Sequence, residues 1–154
     1  MADEALNEDF VDVLRAMLRA NVEFVLVGAH ALAAHGLPRA TGDIDIFVRT
    51  SPLNAARVFS ALADFGAPLA AHGISASDFE EVGNVYQMGL PPRRIDILTE
   101  ISGVTFDEAW HSRVEADIAS LRVPVIGRDA LIKNKRAAGR DKDLVDVRAL
   151  EVKR

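Results

Sequence analysis

Cysteine is absent from this 154-residue chain. Disulfides and thiolate metal sites are therefore excluded, and stability must come from a packed core. Aromatic residues are few, with one Trp and one Tyr, so little material exists for the stacking platforms that hold single-stranded nucleic acid. Positive charge is also short. The net charge of −5 argues against sequence-blind binding to phosphate backbones. No apolar run, FVLVGAHALAA included, reaches the roughly twenty residues of a membrane span. The N-terminus lacks the basic-then-apolar layout of a secretion signal. A cytoplasmic protein with no membrane association is the expectation. The phosphate-binding Gly-x-x-x-x-Gly-Lys-Ser/Thr loop, the dinucleotide fingerprint and the serine-hydrolase elbow are missing as well.

What is present suffices for one domain over residues 1–154. Hydrophobic residues make up 49%, enough for a core. Phe10, Val13, Leu14, Met17 and Leu18 share one face of a helix expected over 7–20. Residues 23–28 read as a buried strand ending at Gly28, followed by a short Ala-rich helix that closes at Gly36. Residues 43–49 alternate with period two, a strand signal. Pro52 opens a helix that ends at Gly66. Residues 66–83 read as a loop with one helical turn near Asp78 to Glu81. Two strands at 84–90 and 93–100 flank Pro91 and Pro92. A helix is expected from Phe106 to Ile118, then a strand at 121–127. Two closing helices start at Arg128 and near Asp141, with Gly139 as C-cap and Asp141 as N-cap. The fold class is α+β, a mixed sheet with helices packed on it.

Asp43 and Asp45 are two apart on one strand, so their side chains share a face. Their α-carbons lie roughly 6.5 Å apart at the rise of a strand. Asp96 repeats the pattern in Arg94-Ile95-Asp96-Ile97-Leu98. Aspartate is a poor strand residue, and clustered carboxylates are costly unless a cation compensates. One explanation is a site for Mg²⁺ or Mn²⁺, whose hard-ligand preference these oxygens suit. Two such ions can clamp an in-line phosphoryl displacement. The other explanation is strand-end aspartates that are hydrated or paired with Arg49, Arg93 or Arg94.

The segment VGAHALAAHGLPRATGDIDIFV, together with RIDIL, resembles the signature of the polymerase beta-type nucleotidyltransferase superfamily. That signature is a strand ending in Gly and a small residue, a variable stretch, an Asp-x-Asp strand and a distant third Asp. The closing segment NKRAAGRDKDLVDVRAL resembles the last helices of small stand-alone bacterial members and of abortive-infection nucleotidyltransferase toxins. The resemblance covers most of residues 22–50 and 93–150 and is weak over 51–90. It implies a nucleotidyltransferase fold with C-terminal helices. It implies transfer of a nucleoside monophosphate from a nucleoside triphosphate to an acceptor hydroxyl, with release of pyrophosphate. Asp43, Asp45 and Asp96 would be the catalytic and metal-binding residues. Asp96 would also help remove the acceptor's proton. The acceptor is left open among a small molecule, a protein hydroxyl and an RNA end.

One position departs from the signature. Ala29 stands where serine or glycine is common, so a hydroxyl-to-phosphate bond is lost. Such a bond is worth about 1.5–3 kcal/mol. Backbone amides after Gly28 remain available to an anion, and His30 or Thr41 can replace the hydroxyl. Arg39 and Thr41 precede the aspartates and read either as phosphate contacts or as a solvated loop. Lys135, Arg140 and Lys142 belong to a basic cluster with Lys133 and Arg136. As a group they are assigned to the triphosphate, against the alternative of an ordinary charged surface. Leu144, Val147 and Leu150 are expected to face the core. His30 and His35, five apart, cannot form an i, i+4 zinc pair.

Two functions remain. The first is a metal-dependent nucleotidyltransferase. The second is a nucleotide-binding or regulatory module without turnover, paired with an antitoxin or helical partner in a toxin–antitoxin system. The acceptor is expected between the 66–83 loop and the C-terminal helices, or at a site completed by a second subunit of a homo-oligomer.

Overall fold

The structure, a computed structural model, describes residues 6–39, 42–90 and 93–153. Six strands form one mixed sheet in the order β3-β4-β2-β1-β6-β5. The strands are β1 (Phe24–Val27), β2 (Asp43–Val48), β3 (Val85–Met88), β4 (Arg94–Leu98), β5 (Val114–Ile118) and β6 (Leu121–Val125). β1 lies antiparallel to β2 and parallel to β6. β2 runs parallel to β4, which carries β3 antiparallel at one edge. The helices are α1 (Glu8–Arg19), α2 (Gly28–Ala34), α3 (Pro52–Phe65), α4 (Phe106–His111), α5 (Arg128–Ala138) and α6 (Asp141–Val152). This is the α+β architecture expected from the sequence.

The central strands are central because of what they carry. All four residues of β1 are buried, and on β2 Ile44 and Ile46 point inward while Asp43 and Asp45 stay half-exposed. Helix α1 places Phe10, Val13, Leu14 and Met17 on one buried face and packs on α3. Its N-cap is Asn7, whose carboxamide accepts the Asp9 amide, and such a cap is worth about 1 kcal/mol. Asn54, buried at the start of α3, accepts from the Glu23 amide and donates to the Glu23 and Arg49 carbonyls. This one side chain ties α3 to the end of the β1–β2 pair where β1 begins and β2 finishes.

Four expectations are corrected. The helix expected over 106–118 ends at His111, and Val114–Ile118 forms β5, the edge strand of a hairpin with β6. The helical turn near 78–81 is a 3₁₀ turn over Ala76–Phe79. Arg140 rather than Asp141 caps α6, and its backbone N–H donates to Asp143 at 3.2 Å. The face of α6 also differs. Asp143, Asp146, Val147 and Leu150 are the buried residues, while Leu144 is 38% exposed. Positions 143, 146, 147 and 150 follow the true i, i+3, i+4, i+7 stripe of a helix. A strict three-residue spacing drifts away from that stripe.

Candidate active site

The parallel register of β2 and β4 decides the geometry. It sets Asp45 directly beside Asp96 and Asp43 beside Arg94. Because side chains alternate along strands, all four groups emerge on the same face. The sheet therefore brings together the three aspartates singled out from the sequence, although Asp96 lies some fifty residues from the other two.

The direct step from β1 into α2, from Val27 to Gly28, closes the site from one side. Gly28 has φ +71, a conformation open to glycine and costly for other residues. A Cβ at this position would lie 2.3 Å from Oδ2 of Asp45. The backbone thus touches the carboxylate where a side chain would fill the space. Ala29 is half-buried in the first turn of α2.

Arg94 is the local cation. Its guanidinium lies 3.0 Å from Oδ2 of Asp43, and its Nε lies 3.0 Å from Oδ1 of Asp96. A second N–H reaches Oδ2 of Asp96 at 3.3 Å. Pairing with Arg94 was one of the two explanations for these aspartates, and it holds for Asp43 and Asp96. Asp45 is left with carboxylates on either side. Burial, then the charge of Asp96 and a hydrogen bond shared with it, then the charge of Asp43 push its carboxyl up to about 6, with Arg94 opposing.

The donor set suits a hard divalent cation, being three carboxylates with short side chains on rigid strands. The raised carboxyl of Asp45 is what such a cluster shows when it lacks enough positive charge. Among the described residues, no group of three His, Cys, Asp or Glu side chains is already arranged around a common metal position. The guanidinium of Arg94 lies between Asp43 and Asp96 instead.

His30 is turned toward the sheet. Burial lowers its pKa, against a hydrogen bond with the Asp43 backbone that raises it. Its Nε2 is buried without a partner, and its ring meets Phe10 edge-on at 5.7 Å. In this position His30 braces the start of β2.

The basic residues form a second group. Lys135 reaches Asp146 at 3.0 Å and Asp143 at 3.4 Å. Arg39 pairs with the same Asp146. Arg140 contacts Asp143 at 2.6 Å. Burial pushes the Asp143 carboxyl up, but the hydrogen bonds from Arg140 and the charge of Lys135 outweigh it and hold it low. The network ties the segment after α2 to the α5–α6 junction. Lys142 is exposed on the first turn of α6. Thr41 lies outside the described residues.

Asp143 and Asp146 were not singled out from the sequence. Their signal was present as two acids three apart on a helix, facing back toward a lysine. Elsewhere, a cavity of about 460 Å³ opens at the other end of β2, beside Thr50, Glu100 and Asp107. Its cation, Arg49, is already paired with Glu23 and Asp107, so the cavity offers less chemistry than the aspartates.

No protein-family model matches the sequence, and no curated protein matches it. Solved structures do. A candidate nucleotidyltransferase from Thermotoga maritima is 15% identical, with 97% of this chain and 96% of that chain covered and a TM-score of 0.58. The lincosamide antibiotic adenylyltransferase LnuA, solved with lincomycin, is 14% identical over 95% of this chain and 96% of its own, at 0.60. The antibiotic-resistance factor ANT(2'')-Ia is 17% identical over 94% of this chain and 81% of its own, at 0.62. At these identities the likeness concerns the fold: the chain has the nucleotidyltransferase fold that its Gly28-to-Val48 segment and Asp96 implied.

Proposed function

We propose that the chain transfers a nucleoside monophosphate from a nucleoside triphosphate to an acceptor hydroxyl and releases pyrophosphate. The observation that carries this reading is the juxtaposition of Asp45 with Asp96 in register, Asp43 one pleat away and Gly28 closing the side. Asp43 and Asp45 would hold Mg²⁺ or Mn²⁺ together with the triphosphate. Asp96 would share that cation and face the acceptor. Bound there, the cation would lower the cost of charge on the phosphate oxygens.

The remaining chemistry belongs to the chain. The acceptor oxygen forms a bond to the α-phosphorus, and the bond from that phosphorus to the oxygen bridging to the β-phosphate breaks. The electron pair leaves with pyrophosphate. Asp96 takes the hydroxyl proton, a role for which its contact with Arg94 must loosen. Gly28 and Ala29 keep the backbone close to the phosphates, and His30 holds β2 behind them. Arg39, Thr41, Lys135, Arg140 and Lys142 are assigned to the triphosphate side. The neighbours LnuA and ANT(2'')-Ia, the latter also solved with adenylyl-2''-tobramycin, support ATP as the first donor to test. They also support a small hydroxylated molecule as the first acceptor class.

A cytoplasmic location and a site completed by a second copy of the chain belong to this reading. The alternative is a nucleotide-binding module without turnover, with an antitoxin-like helical partner. Its support is the pairing of Arg94 with two of the aspartates and the missing hydroxyl at Ala29. Calorimetry with ATP, with and without Mg²⁺, and pyrophosphate release in D43N and D45N separate the two. Release that needs Mg²⁺ and vanishes in both variants is the expected result. Turnover unchanged in either variant rejects the catalytic assignment, and binding without release favours the module.

A further inference from the structure

We propose that Arg94 is the resident cation of the carboxylate site and that a divalent ion enters only by displacing it. The inference rests on reading Asp43, Asp45 and Asp96 as the metal-binding group. It adds a regulatory role for a residue outside that set.

The argument starts from oxygen atoms. A divalent ion must take carboxylate lone pairs directly, at about 2.0–2.1 Å for Mg²⁺. Arg94 already donates to both oxygens of Asp96 and to Oδ2 of Asp43. These are charge-assisted bonds, among the stronger hydrogen bonds in proteins. One guanidinium thus engages three carboxylate oxygens on β2 and β4. Strand alternation keeps it there, because Arg94 and Asp96 are two apart on β4 and share a face. Asp43 is its register neighbour.

The guanidinium is not locked in. The Arg94 side chain is 30% exposed and that of Asp43 is 35% exposed, so the arginine can swing outward on its long stem. Once released it stands at the mouth of the site, and its planar fork matches phosphate oxygens. Arg94 therefore exchanges partners, with carboxylates in the metal-free state and the triphosphate in the loaded state. Free metal alone binds weakly, and metal arriving with a triphosphate binds well because the displaced arginine gains an anion.

The test reads metal binding without turnover. MnCl₂ is titrated into wild type, R94Q, R94K and D45N by calorimetry and by the electron-spin signal of free Mn²⁺. Thermal denaturation of each variant confirms folding. R94Q is expected to bind Mn²⁺ roughly ten-fold more tightly than wild type, the scale of one lost charge-assisted bond. R94K, which keeps a competing cation, should stay near wild type. Adding a non-hydrolysable ATP analogue should improve Mn²⁺ binding in wild type more than in R94Q. Equal or weaker Mn²⁺ binding in R94Q, with wild type binding and D45N not, overturns the role of Arg94 alone. Absence of Mn²⁺ binding in every variant overturns the metal reading, and this inference falls with it.

Discussion

Asp45 and Asp96 face each other directly across β2 and β4, and burial of Asp45, reinforced by the charge of Asp96, makes the folded protein hold a proton that the unfolded chain would release. The Asp45 carboxyl stands at about 6 against an ordinary value of 3.8. Between these values the native state binds more protons than the unfolded state, so stability falls as pH rises through that window. Below about 4 both states are protonated and the penalty vanishes. Above about 6 it is complete, at up to about 3 kcal/mol for the two-unit difference. Asp45→Asn keeps a donor toward Asp96 and removes the charge. Urea denaturation at several pH values should show the variant more stable than wild type at pH 7.5 and equal to it near pH 4. A constant difference across that range would mean that Asp45 does not titrate as its surroundings require.

Gly28 serves Asp45 through its missing side chain. Gly28→Ala meets two obstacles, a φ of +71 and a contact of 2.3 Å with Oδ2 of Asp45. The first costs about 1–2 kcal/mol, and the steric contact adds about 1–3 kcal/mol. Asp45→Ala removes the offending oxygen. The double variant should therefore be less destabilised than the sum of the singles, by about 1 kcal/mol or more. Simple additivity in denaturant midpoints would show that the carboxylate turns aside freely.

The central strands and the aspartates were legible because each carries a local signal. Gly28 ends a hydrophobic run, and Asp43 to Val48 alternates with period two. That Asp96 stands beside Asp45 was not legible in the same way. Neighbouring strands are set by tertiary packing, and only the resemblance to a family placed the third aspartate. The inward face of α6 was misjudged because buried Asp143 and Asp146 look like surface residues until Lys135 is seen between them. Arg94 was visible as an ion-pair partner, but its simultaneous grip on Asp43 and Asp96 depends on register alone.

The hairpin of β5 and β6 was missed for a reason that can be tested. Ile118 pairs with Leu121, leaving the two-residue turn Ala119-Ser120. Both turn residues have positive φ, +50 and +68. Such turns favour Asn-Gly, and neither residue occurs here, so no turn signal interrupted the apparent helix. Replacing Ala119 by Asn and Ser120 by Gly should stabilise the protein by about 1 kcal/mol, or about 2–4 °C in Tm for a chain of this size. A lower Tm would contradict the turn geometry.

Lys135 sits at 11% side-chain exposure between Asp143 and Asp146, which are 1% and 5% exposed. Breaking a buried pair by removing one partner costs about 3–5 kcal/mol, since a charge is left uncompensated. Arg39 and Arg140 remain on the same two carboxylates, so Lys135→Met should cost somewhat less, about 2–3 kcal/mol. Adding Asp146→Asn removes one stranded charge and should restore part of that loss in urea denaturation. The same pair of variants separates two roles for the lysine. If Lys135 also touches the triphosphate, ATP affinity stays low in the double variant despite its recovered stability. If affinity returns with stability, Lys135 acts on nucleotide only through the fold it holds together.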